Sequence, residues 1–235
     1  MKNMQVLYED NHLIAVNKPA GMLSQGDETG DETVMDWAKQ YIKFRYDKPG
    51  DVYLGQIHRL DRPVSGVILF ARTSKALTRM NEQFKNRKIT KTYWAVVDQQ
   101  PKPIEGTLQG YVYKDTERNR SKIVPKADSN RHKGAKMAQL SYKLLARIGT
   151  NVLLSVQLDT GRPHQIRVQL ADQLGVPIRG DLKYGSRARN EDGNINLHAR
   201  ALEFVHPVKK EPVRITAEVP REDQIWQLFR GTEEW

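Results

Sequence analysis

Asp61 lies in His58-Arg59-Leu60-Asp61-Arg62-Pro63, directly before Val64-Ser65-Gly66-Val67-Ile68-Leu69-Phe70. One carboxylate is thereby set among His58, Arg59 and Arg62, with Pro63 and Gly66 stiffening and turning the chain behind it. A carboxylate among cations stays ionised below neutrality, and an ionised carboxylate at a strand edge can act as a nucleophile. A surface Asp paired with its neighbouring Arg would give the same local pattern.

Two other segments are chemically dense. In Gly161-Arg162-Pro163-His164-Gln165-Ile166-Arg167, Pro163 is an acceptable first helical residue and Gly175 a stop, which predicts a helix over 163–174. His164 and Arg167 then share a face, and a helix start carrying Arg162, His164 and Arg167 favours anions such as phosphate or carboxylate. An exposed polar helix face is the plain alternative. In Lys91-Thr92-Tyr93-Trp94-Ala95-Val96-Val97, Tyr93 is an aromatic beside cations. If exposed it can stack on a nucleobase; otherwise it is an ordinary half-buried strand tyrosine.

The elements that must position these residues follow from periodicity. Met4–Tyr8 and Leu13–Val16 form a hairpin signal, followed by the Lys18-Pro19-Ala20-Gly21 turn and a polar loop over Gly26–Asp31. Thr33–Tyr46 has helical spacing, Val67–Ala71 reads as a buried strand, and Thr73 or Ser74 caps a helix to about Asn86. Lys91–Asp98 is a strand, and Met137–Arg147 with Asn151–Leu158 makes a hairpin. Ile195–Phe204 and Val213–Val219 are strands, and Asp223–Phe229 is a short helix. Asp181, beside Gly180, reads as a plain turn residue. These elements predict one α+β domain, residues 1–235, on a mixed, largely antiparallel β-sheet with flanking helices and loops.

The 235 residues carry a formal charge of +10. Residues 114–136 hold eight Lys or Arg against three acids, a surplus of five that is half of this excess. Solubility alone also favours net charge, but a clustered surplus is what a polyanion contact requires. Lys114, Arg118, Arg120, Lys122, Arg131 and Lys133 are therefore the expected grip on a nucleic-acid backbone. With little apolar content and no period, 114–136 is expected to be long loops flanked by strands. There are no cysteines, which excludes disulfides and thiolate chemistry. The six histidines show no paired ligand spacing, and the cations around His58 and His164 would repel a metal ion, so no metal is expected. With no apolar leader and no run of the length needed to span a bilayer, the chain reads as cytoplasmic, with no membrane partner.

Together these segments resemble the RluA-like RNA pseudouridine synthases over nearly the whole length. His58–Gly66 is similar to that family's His-Arg-Leu-Asp-Arg-x-x-Ser-Gly catalytic segment, and Lys18–Gly21 to its Lys-Pro-x-Gly turn. Lys91-Thr92-Tyr93 resembles the strand with the active-site tyrosine. Gly161–Arg167 resembles Gly-Arg-x-His-Gln-Ile-Arg, with Pro163 where Thr is usual. Leu197-His198-Ala199 and Phe204-Val205-His206-Pro207 resemble the late strand, and Val176 replaces a common His.

The resemblance implies the pseudouridine synthase fold and isomerisation of uridine to pseudouridine in ribosomal or transfer RNA. It implies Asp61 as nucleophile or general base, Arg167 pairing with it and Tyr93 stacking on the base. Arg59, Arg62, His58, Arg162 and His164 would bind substrate, Arg59 by holding RNA around the flipped base. No cofactor is implied, RNA rather than DNA is the partner, and a monomer suffices. The chain begins at the catalytic region, so recognition is expected from this domain's own surface rather than from an extra N-terminal RNA-binding domain. The rival readings are a catalytically silent RNA-binding or ribosome-assembly protein on the same scaffold and a two-carboxylate hydrolase.

Overall fold

The computed structural model describes residues 4–26 and 29–232. In chain order the strands and helices are β1 (Val6–Glu9), β2 (Leu13–Lys18), α1 (Val34–Arg45), β3 (Gly55–Gln56), β4 (Ser65–Ala71), α2 (Ser74–Lys85), β5 (Thr90–Val97), β6 (Glu105–Asp115), β7 (Arg120–Val124), β8 (Lys136–Ile148), β9 (Asn151–Leu158), α3 (Gln165–Leu174), β10 (Leu197–Val205), β11 (Pro212–Thr216) and α4 (Gln224–Leu228). Short 3-10 turns cover Lys126–Asp128 and Leu182–Tyr184. The α+β class expected from periodicity is the class observed. Part of the polar loop expected over Gly26–Asp31 lies outside the described residues.

Contacts group the chain into two compact units, Met1–Thr90 with Ala199–Val219, and Lys91–His198 with Pro220–Trp235. In the first unit β2 is the antiparallel neighbour of β1 and β4, β3 pairs with β4, and β10 with β11. All seven residues of β4 are buried, as its unbroken apolar run requires. Leu13, Ala15, Val67, Leu69, Met80, Leu202 and Phe204 belong to one apolar cluster under α2, each fully buried large side chain contributing about 1.5–3 kcal/mol. Thr33 and Asp36 form a reciprocal capping box on α1, and the Thr73 hydroxyl accepts from Ala76 N–H to cap α2.

In the second unit β9 pairs with β5 and β8, and β6 with β8 and β7, all antiparallel. Two expectations change here. The basic segment is loop only in part: β6 runs to Asp115, a turn ending at left-handed Asn119 follows, and β7 covers Arg120–Val124, while residues 125–135 are turns around a short 3-10 helix, as expected. The ladder explains this, because Tyr111, Tyr113 and Asp115 pair with Val124, Lys122 and Arg120 and need little burial. The second correction concerns α3, which starts at Gln165 rather than Pro163. His164 is left-handed (φ 52°), which no helix continues, and it stands at the cap position.

Amides fasten α3 to the sheet. Gln165, Gln169 and Gln173 recur at i, i+4. Each Nε2 of the first two donates to the next Oε1, at 2.9 and 3.0 Å. The same amides reach Gln139 O, Leu108 O and Gln109 O, so one polar strip of the helix is tied to β8 and β6. Val168 on α3 packs with Val112, Ala138 and Tyr184.

Candidate active site

Asp61 sits half-buried in the loop ahead of β4, and its carbonyl accepts from Val64 N–H in a tight turn. The loop is pinned through its backbone. Ser24 Oγ donates to Leu60 O (2.7 Å) and accepts from Leu60 N–H (3.1 Å), and Gly21 N–H donates to Arg62 O (2.8 Å). Lys18, at the end of β2 and 0% exposed, sends Nζ to Pro19 O (2.9 Å), Arg62 O (3.1 Å) and Val64 O (2.7 Å). Lys18 Nζ thus meets three carbonyls, two of them in the residues just after Asp61 and the third at Pro19. Burial pushes the Lys18 amine down to about 7, against the pull of the Asp61 carboxylate and with help from Arg62.

Behind the loop, Gly66 has φ 114°, and a Cβ there would run into the backbone of Ala199 on β10. Only glycine meets both demands. His58 is committed to the same scaffold: Nε2 accepts from Leu69 N–H (3.0 Å), and the ring stacks on Phe84 of α2 at 5.4 Å. Arg62 Nε donates to Gly21 O, and Nη2 pairs with Asp31 at 2.9 Å. Arg59 is exposed. Of the four charged or polar residues of this motif, His58 and Arg62 therefore brace the loop that carries Asp61.

The second unit holds Arg167 and Tyr93. Arg167, buried on α3, donates from Nε to Asp181 Oδ2 (2.6 Å) and from Nη2 to Asp181 Oδ1 (2.8 Å), a two-pronged buried ion pair. Its Cζ lies 5.0 Å from the Tyr184 ring centroid. Asp181 is 1% exposed, which corrects its reading as a plain turn residue. Tyr93 is 9% exposed on β5.

His164 is placed by polar neighbours rather than by a shared face with Arg167. Its Nδ1 is 2.8 Å from Tyr184 Oη and its Nε2 is 3.5 Å from Lys114 Nζ. The two ring nitrogens are thus bracketed by the tyrosine hydroxyl and the lysine amine. Tyr184 Oη also accepts from Ser121 N–H (2.7 Å), and burial pushes the Tyr184 hydroxyl up. Arg162 donates from Nε to Met137 O.

Along the basic segment, Arg118 and Lys122 of the β6–β7 hairpin and Arg131 and Lys133 of the following connection are exposed, and Lys114 and Arg120 are half-buried. Arg131 pairs with Asp128 at 3.0 Å, Lys122 with Asp115 at 3.7 Å, and Arg120 lies 5.0 Å from the Tyr184 ring centroid. Among the described residues no group of three or more His, Asp or Glu could hold a metal ion, and no helix is long and apolar enough to cross a membrane.

Residues 12–172 match the family described as RNA pseudouridylate synthase. The chain belongs to that family. It is an isomerase acting on uridine in RNA, in agreement with the motif resemblance. The ribosomal large subunit pseudouridine synthase D of Xylella fastidiosa is 34% identical over 98% of this chain and 70% of its own length. The tRNA pseudouridine synthase C of Haemophilus ducreyi is 32% identical over 99% of this chain and 96% of its own length. The fold is shared with human RNA pseudouridylate synthase domain containing 4, with a TM-score of 0.77 at 24% identity over 95% of this chain and 91% of that one.

Sequence reasoning gave Lys18 and Asp181 only turn roles and missed Ser24 and Tyr184. A lysine closing the apolar strand Leu13-Ile14-Ala15-Val16-Asn17 was the available signal for the first. The others are joined to their partners only by the folded chain.

Proposed function

We propose that this pseudouridine synthase acts on structured RNA of the ribosome or on transfer RNA, with Asp61 as its catalytic carboxylate and residues 1–235 working as one catalytic domain. The observation that carries this is the Asp61 loop. Lys18, Ser24 and Gly21 fix the backbone on both sides of a half-buried carboxylate, which is how a reacting group is held in one geometry. The matching relatives, one named for ribosomal RNA and one for tRNA, support the substrate class.

In the reaction the bond from ribose C1′ to uracil N1 breaks, the base turns, and C1′ bonds to C5. The C5 proton leaves and N1 ends protonated, so composition is unchanged and no redox or energy cofactor is needed. Asp61 attacks C1′, adds to the ring, or removes a ribose proton; each route needs the ionised carboxylate. Tyr93, largely buried on β5, is assigned to the uracil by the motif resemblance, and that base must leave its helical stack to be reached. Arg167 completes the catalytic set. Arg59, exposed beside Asp61, holds the RNA around the flipped base, His58 and Arg62 serve it through the loop they brace, Arg162 and His164 are further substrate contacts, and Lys114, Arg118, Arg120, Lys122, Arg131 and Lys133 hold phosphates. The protein works as a monomer in the cytoplasm, where these RNAs are found, and not on DNA or a membrane.

The decisive variant is Asp61→Asn. Pseudouridine formation, read by carbodiimide labelling and primer extension, should fall at least about 10⁴-fold while RNA affinity stays within about threefold. Turnover by the variant would remove Asp61 from its role. Wild-type protein that binds RNA but forms no pseudouridine would establish the silent RNA-binding alternative.

A further inference from the structure

We propose that Asp181 and Tyr184 are positioning residues for the isomerisation, fixing the plane and direction of the Arg167 guanidinium. The inference rests on Arg167 belonging to the catalytic set. Two bonds from two guanidinium nitrogens to the two oxygens of one carboxylate define the plane of the fork, and with it the directions of every other N–H. The Tyr184 ring, 5.0 Å from Cζ, limits sliding of the group. Asp181 and Tyr184 belong to one short turn, with Tyr184 N–H donating to Asp181 O, so the clamp moves as a unit.

That turn is itself anchored. Ile178 bridges Val97 on β5, Arg179 N–H donates to Val96 O (2.8 Å), and Gly180 N–H donates to Ser186 Oγ (3.2 Å). Gly180 has φ 84°, and a Cβ there would collide with Asn194. Tyr184 Oη bonds to the backbone of Ser121 on β7. A connecting turn requires none of this. A buried ion pair is also an inefficient source of stability compared with apolar packing of the same volume. Its geometry is what it supplies: an arginine whose long side chain has one orientation before RNA arrives.

The test uses total RNA labelled with 5-tritiated uridine, since loss of the C5 hydrogen releases tritium to water. Asp181→Asn, Arg167→Lys and the double variant are compared at saturating RNA, with RNA affinity and heat denaturation measured in parallel. Asp181→Asn should slow release about 10²-fold with affinity within about threefold, and the double variant should be no slower than Arg167→Lys alone. A purely structural role would instead show as lost heat stability with turnover of the folded variant near that of the wild type. Multiplying losses, or an Asp181→Asn rate within threefold of wild type, overturns the inference. If Asp181→Asn does not fold, Tyr184→Leu replaces it in the same cycle with the same two outcomes. Full activity of both Arg167→Lys and Arg167→Ala would instead remove Arg167 from the catalytic set.

Discussion

Asp61 and Arg167 are held in different ways. Around Asp61 the structure grips the main chain: the ammonium of Lys18, the hydroxyl of Ser24 and the amide of Gly21 engage carbonyls and N–H groups of its neighbours. Around Arg167 it grips the side chain itself, through the carboxylate of Asp181 and the ring of Tyr184. The chemistry of each residue accounts for the difference. An aspartate has two side-chain torsions, so a fixed backbone nearly fixes the carboxylate. An arginine has many torsions, and only contacts at its tip determine where the charge points.

The comparison predicts that the two regions fail differently. Lys18→Met should have the largest effect on the Asp61 side. It strips donors from three carbonyls, costing about 3 kcal/mol of stability and about 10²-fold in turnover by loosening the loop. Unchanged turnover in folded Lys18→Met would break the comparison, since backbone restraint would then be irrelevant to the carboxylate.

Lys18 also carries a pH signature. Its folded value near 7 lies below the usual lysine value, so between about pH 7 and pH 10 the unfolded chain holds a proton that the folded one lacks. Unfolding free energy of the wild type should therefore rise with pH across that window relative to Lys18→Met, by up to about 1.4 kcal/mol per pH unit. The penalty for burying the charge is fully present below it. Chemical denaturation at pH 7 and pH 9 checks the sign, and a flat difference would show that Lys18 keeps its charge throughout.

Ser24→Ala should cost less, about 1–2 kcal/mol, because water can reach one of the two backbone groups it serves as the loop relaxes. A loss of turnover larger than that of Lys18→Met would place the main restraint at Leu60 instead.

The smallest effects belong to the basic segment 114–136. Arg118→Gln and Lys133→Gln should each lower the slope of log affinity against log salt by about 0.9. Arg131→Gln should change it less, because Asp128 already pairs with that guanidinium. Equal slopes for all three variants and the wild type would take the basic segment out of RNA binding.

The same contrast governs what the sequence could reveal. The Asp61 loop was legible because its parts are contiguous: acid, turn residues and buried strand lie within 14 residues, 58–71. The Thr73 cap and the β8–β9 hairpin were legible for the same local reason. The Arg167 clamp was not, because Asp181 is 14 positions away in a turn that carries no helical or strand period. Strand β6 was hidden by its own surroundings. Gly106, Gln109 and Gly110 interrupt its alternation, and it draws on ladder bonds from both sides rather than on burial. The start of α3 was misplaced because a proline suggests a first helical residue, whereas Pro163 O is used to accept from Ser121 Oγ and His164 then reverses hand.

The glutamine ladder on α3 has one more consequence. An oily stripe is indifferent to a modest roll of a helix about its axis, since hydrocarbon contacts are non-directional. Amides are not indifferent: each has a donor end and an acceptor end, and here they point the same way from residue 165 to 173. Turning the helix would break several at once, so α3 has a single azimuth, and the guanidinium that projects from its second residue after Gln165 inherits that bearing.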